Sequence, residues 1–185
     1  MKNIILIAIF IISLTCNAQE YPLTTTEVPS NAYIKDLNNQ LPAFDGSWKG
    51  TWKNKTFLVN FKKVKYYFTH LQNNPYYQDI LIGKFQVKDA NGNILFDNLN
   101  IPDNQAKIEG SRMFTNGTYS LSYLDSDLCD KMGFIRIAFT NSTKTQMILK
   151  YSEVSDLIEP SCFFYGKPGD QRPEPIPKEI ILTKQ

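Results

Sequence analysis

Apolar and polar side chains alternate at every second position along most of this chain, and no long stretch carries the three-to-four spacing of an amphipathic helix. Trp48, Gly50 and Trp52 share one face of a run whose other face is Lys49, Thr51 and Lys53. Phe57, Val59 and Phe61 then occupy odd positions, and Val64, Tyr66 and Phe68 even ones. One extra residue in a strand produces such a switch, which places a β-bulge or corner at Lys62-Lys63. Residues 77–88 alternate again, with Leu81, Phe85 and Val87 on one side. They meet a strand over 94–101 through Asn91-Gly92, two residues that tolerate the positive φ of a tight hairpin. Strands over 107–114 and 118–124 join through Asn116-Gly117, with Tyr119, Leu121 and Tyr123 on one face and Ser120 and Ser122 on the other. Residues 134–140 and 145–151 form a hairpin across 141–144, and 178–184 is a last strand after a proline-rich stretch. About nine short strands with hairpin turns predict an all-β fold, an antiparallel up-and-down barrel of about 8–10 strands, with a β-sandwich as the alternative.

The start of the chain reads as an address. Met1 and Lys2 precede an apolar run over 4–14, and about eleven residues is signal-peptide length, short of the roughly 20 that span a bilayer. Cys16-Asn17-Ala18 places small residues for cleavage before Gln19. The alternative is a lipoprotein anchored through Cys16, but Ser13, Leu14 and Thr15 match a lipobox poorly. The expected organisation is a signal peptide over 1–18, an irregular segment over 19–44 and one barrel domain over 45–185. The protein is expected in the periplasm or outside the cell, with no transmembrane helix in the mature chain. Cleavage removes Lys2 and Cys16 and leaves Cys129 and Cys162, an even pair bound for an oxidising compartment. A disulfide between them, 33 residues apart, should contribute roughly 3–4 kcal/mol by loop closure.

Charge and motifs then exclude function classes. Twenty basic side chains against eighteen acidic ones count against a nucleic-acid binder. Lys62, Lys63 and Lys65 beside Tyr66 and Tyr67 read instead as protection of a strand face or edge. His70 is the one histidine and has no second imidazole to complete a zinc site, and no Gly-x-Ser-x-Gly elbow occurs. The run from Asp125 to Asp130 lacks the glycine and distal glutamate of a calcium loop, and turn chemistry explains it. No catalytic residue, metal ligand or cofactor is assigned, and the protein is expected not to be an enzyme.

Gly46-Ser47-Trp48 at the opening of the first barrel strand resembles the Gly-x-Trp signature of lipocalins. That resemblance implies an eight-stranded barrel whose closed end is plugged by Trp48 and whose interior binds small apolar molecules. Residues 152–159 offer only a short helix, and no arginine is assigned to cover the tryptophan. Three further stretches, 44–50, 76–85 and 176–184, together resemble a family of small secreted proteins of unknown function from Bacteroidetes-type bacteria. That second resemblance implies secretion and a β-rich domain and brings no activity. The functional expectation is an exported, non-catalytic binding protein for a small hydrophobic ligand lined by Trp52, Phe57, Phe61, Phe85, Tyr119 and Tyr123. The alternative is an envelope or secreted protein-interaction module with a filled barrel, its protein partner unknown.

Overall fold

The computed structural model describes residues 19–69, 71–154 and 158–185. The leader, Cys16, His70 and part of the expected short helix lie outside them. Among the described residues eleven strands run in chain order: β1 (Glu20–Pro22), β2 (Tyr33–Lys35), β3 (Gly46–Trp52), β4 (Lys55–Phe68), β5 (Tyr77–Lys88), β6 (Ile94–Asp97), β7 (Ile108–Met113), β8 (Tyr119–Asp125), β9 (Lys131–Phe139), β10 (Gln146–Glu153) and β11 (Glu179–Lys184). Eight of them, β3 to β5 and β7 to β11, close an antiparallel barrel with the consecutive pairing of a meander. Closure rests on two short ladders, Thr183↔Lys49 with Lys184↔Trp48, and Ile82↔Glu109 with Gly83↔Ile108. The free edge of β5 serves three partners in turn: β2 at Tyr77, β7 at Ile82 and β6 at Gln86.

Turn chemistry sets the hairpins. Gly92 and Gly117 take φ of 85° and 81°, and Lys53-Asn54 turns β3 into β4 with φ of 44° and 61°, the backbone of a type I′ turn. The segment expected to be irregular carries β1 and β2, which pair in parallel and extend the sheet beyond the barrel on β5. The strand expected over 94–101 ends at Asp97, and the chain then crosses the outer face of β4 and β5.

Alternation sorts core from surface. Phe57, Val59, Phe61, Leu81, Val87, Leu121, Ile135 and Ile137 are fully buried on the inner face. The parity switch in β4 has a different cause from the one expected. The register of β4 against β5 runs unbroken through Lys62 and Lys63 and shifts between Val64 and Tyr67, where Lys65 and Tyr66 oppose Asp79. Val64 is apolar because it faces outward into a second cluster with Ile80, Ile82, Ala106 and Tyr67. Tyr66, the strained bulge residue (φ 55°), is half exposed and stacks on Tyr77 at 4.0 Å.

Candidate functional site

The inner aromatic side chains form a continuous file. Ring centroids step from Trp52 to Phe57 at 6.1 Å, Phe57 to Phe85 at 5.7 Å, Phe85 to Tyr123 at 6.1 Å and Tyr123 to Tyr151 at 5.8 Å. These are tilted and edge-on contacts in the range that aromatic pairs prefer. Phe61 lies deeper, against Gly83, where an added Cβ would come 3.0 Å from its ring. Tyr119 lies toward the opposite end, 6.3 Å from Phe44, and its hydroxyl accepts from the Leu81 amide. The six residues named from sequence therefore face inward, four of them in one file, and ring meets ring there.

Trp48 sits at the end covered by the N-terminal segment. Its Nε1 donates to the Phe44 carbonyl at 2.7 Å, and Phe44 stacks on Phe139 at 4.2 Å. The cation over its ring, unassigned from sequence, is Lys184: its Nζ lies 5.3 Å from the ring and donates to the Ala43 carbonyl. At the same end Lys63 points inward and pairs with Asp36 at 2.7 Å, while Asp79 lies 3.9 Å away. This corrects the reading of Lys63 as surface protection, and β4 is moreover a central strand, flanked by β3 and β5. Asp79 also accepts from the Tyr33 hydroxyl and the Asp36 and Tyr66 amides, so one carboxylate holds both the bulge and the N-terminal segment. Burial, then Asp79, pushes the Tyr33 hydroxyl pKa up.

The outer wall of β7, β8 and β9 breaks the alternation rule. Leu124, Met132 and Phe134 point outward and are 52%, 42% and 57% exposed. They belong to rows across the strands, Leu124 beside Met132 and Glu109 beside Ser122 beside Phe134. With Ile101, Ala106 and Val154 they border a groove of about 690 Å³. Its far wall is the turn after β6, fixed because Asp103 pairs with Lys62 at 2.5 Å and with Lys84 at 2.7 Å, and Lys84 also donates to the Ile101 carbonyl. Hydrogen bonds from Lys62 and Lys84 hold the Asp103 carboxyl at about 2. Lys107, at one end, bridges Asp125 and Asp127 at 2.5 and 2.7 Å. Burial opposes its charge, and those two carboxylates outweigh burial and raise its pKa. Asp125 and Asp127, weighed from sequence as calcium ligands, are engaged here by Lys107, and the Asp125 side chain accepts from the Asp127 amide in a turn.

A family model described as "Family of unknown function (DUF6705)" matches residues 1–185. The chain belongs to the DUF6705 family. No curated protein and no solved structure matches it. For this DUF6705 chain the groove was illegible in sequence. The signal available was three apolar residues on the polar parity of adjacent strands, Leu124, Met132 and Phe134, of which Leu124 and Phe134 fell inside expected strands and Met132 outside one. The Cys129–Cys162 disulfide read from sequence forms in this DUF6705 protein, with a Cα separation of 5.8 Å. It fits an oxidising, exported location.

Proposed function

We propose that the protein is an exported, non-catalytic binder of a small hydrophobic ligand, and that the ligand lies in the groove on the outer wall. One observation carries this reading: Leu124, Met132 and Phe134, exposed together, floor a groove of about 690 Å³, within the roughly 300–1,000 Å³ of small-molecule sites. The barrel interior is given no part in the seat, because Phe57, Phe61, Phe85, Tyr119 and Tyr123 are at most 1% exposed and spend their surface on one another. Contiguous exposed apolar side chains on a monomer mark contact sites. The groove also explains why the turn after β6 is held by two lysines, since that turn is its wall.

Phenylnaphthylamine, a neutral apolar dye that fluoresces out of water, tests the seat. Binding should saturate at one dye per chain, and Phe134→Ser should weaken it by about tenfold, the loss of roughly 1.5 kcal/mol of apolar contact, with the thermal midpoint unchanged. Equal binding by Phe134→Ser would place the seat elsewhere. The alternative, a protein-interaction module without a small ligand, draws on the filled interior and predicts no saturable dye binding at all.

A further inference from the structure

Three arginines occur in the chain, Arg112, Arg136 and Arg172, and two of them stand on one row of the wall that carries the groove. Arg112 on β7 pairs with Ser120 on β8, and Ser120 pairs with Arg136 on β9. A bulge makes this row. The register of β7 shifts between Gly110 and Arg112, so Ser111 is the extra residue. Had the ladder stayed regular, Ser111 would oppose Ser120 and Arg112 would oppose Tyr119, on the inward parity that Met113 now occupies. Bulges re-aim side chains in this way next to functional sites.

Both guanidinium groups gather on one ring, Phe114, at 4.5 Å from Arg112 and 5.6 Å from Arg136. Among the described residues neither arginine makes an ion pair, and Glu27, the acid on the adjoining segment, pairs with neither. Beside Arg112 opens a cavity of about 330 Å³, whose polar side is Thr25, Thr26, Ser111, Arg112 and Ser120 and whose apolar side includes Leu23, Val28 and Ile34. Arg136 stands outside it, on the other side of Ser120. The Gln78 amide already donates to the Ser111 carbonyl at 2.7 Å, so the two guanidinium groups, with the hydroxyls near Arg112 and no carboxylate paired to either arginine, are what suit an oxyanion. Arginine presents the planar fork that carboxylate and phosphate groups match.

The arginine row is next to the groove. Along β9 the outward side chains run Arg136, Phe134, Met132, and along β8 they run Ser120, Ser122, Leu124. Four residues at about 3.4 Å each separate Arg136 from Met132, roughly 14 Å, the span of a linear chain of about a dozen carbons. Charge gives the wall a direction. Glu109 and Asp127 stand at the groove, with Lys107 engaged by Asp125 and Asp127, so an anionic head is repelled there and attracted at Arg112 and Arg136.

We infer that the ligand is a single-chain amphipathic anion, its apolar body in the groove and its carboxylate or phosphate head between Arg112 and Arg136. This rests on the groove being the ligand seat. Displacement of phenylnaphthylamine by dodecanoate, dodecyl phosphate and dodecanol, each below its micelle concentration, tests both statements separately. The two anions should displace the dye at least tenfold more effectively than the alcohol, the factor that about 1.4 kcal/mol of charge-assisted hydrogen bonding supplies. The better of the two anions identifies the head group. Arg112→Gln with Arg136→Gln should reduce both anions to the level of the alcohol and leave dye affinity unchanged, since neither arginine touches the groove. Equal displacement by anions and alcohol in the parent protein, or an anion advantage that survives the double substitution, overturns the inference while the groove reading stands. Dye binding that ignores Phe134→Ser overturns the groove reading and this inference with it.

Discussion

Lys63 shows how one inward charge is accommodated in an apolar barrel. Its position continues the parity of Phe57, Val59 and Phe61, so its side chain enters the end of the core, where the Asp36 side chain is fully buried and that of Asp79 is 4% exposed. Asp36 accepts from the amides of Gln40 and Leu41 as well, and this ties the N-terminal segment over the barrel end. A buried pair is costly to break from one side, because the abandoned charge stays buried. Lys63→Met should therefore destabilise the fold by about 3–5 kcal/mol in urea denaturation. A loss below 1 kcal/mol would mean that the two carboxylates relax to solvent. No local pattern distinguishes Lys63 from Lys62, which is exposed and pairs with Asp103. Only the parity of the strand separates them, and parity becomes decisive once the register on β5 is known.

Among the elements, β4 carries the lesson in its bulge. Sequence placed an irregularity at Lys62-Lys63 from the change in apolar parity. The ladder instead stays in register through those residues and shifts at Lys65-Tyr66. Apolar residues on the outer parity mimic a bulge whenever another segment covers the outside of the sheet, and here Ala106 covers Val64, Ile80 and Ile82. The covering turn depends on Asp103. Its carboxyl, held at about 2 by Lys62 and Lys84, ionises more readily in the fold than in the unfolded chain. Its contribution is thus complete above the unfolded value near 3.9 and disappears as pH falls through about 2. Dye binding in the groove should persist at pH 4 and fall between pH 4 and pH 2. The same titration on Asp103→Asn should show weaker binding throughout and no such step from this residue.

For the whole molecule, closure and the cross-link set the stability. Cys129 follows the turn after β8, and Cys162 lies in the long connection between β10 and β11. The bond thus pins that connection to the barrel end. Replacing both cysteines by serine should lower unfolding free energy by roughly 3–4 kcal/mol for a loop of 33 residues. Equal urea midpoints for the parent protein and the double substitution would show that the connection is already held by packing. Among the described residues no helix is long and apolar enough to cross a membrane. The sequence by itself determined the eight barrel strands, the Asn-Gly hairpins, the meander order and the disulfide, because a two-residue period and turn chemistry are local properties of the backbone. Tertiary structure alone decided that β3 meets β11 and β5 meets β7, that Lys184 covers Trp48, and that two arginines and three apolar side chains share one outer wall. Those juxtapositions depend on register between strands distant in sequence and on which segment covers a face, and neither leaves a periodic trace in the chain.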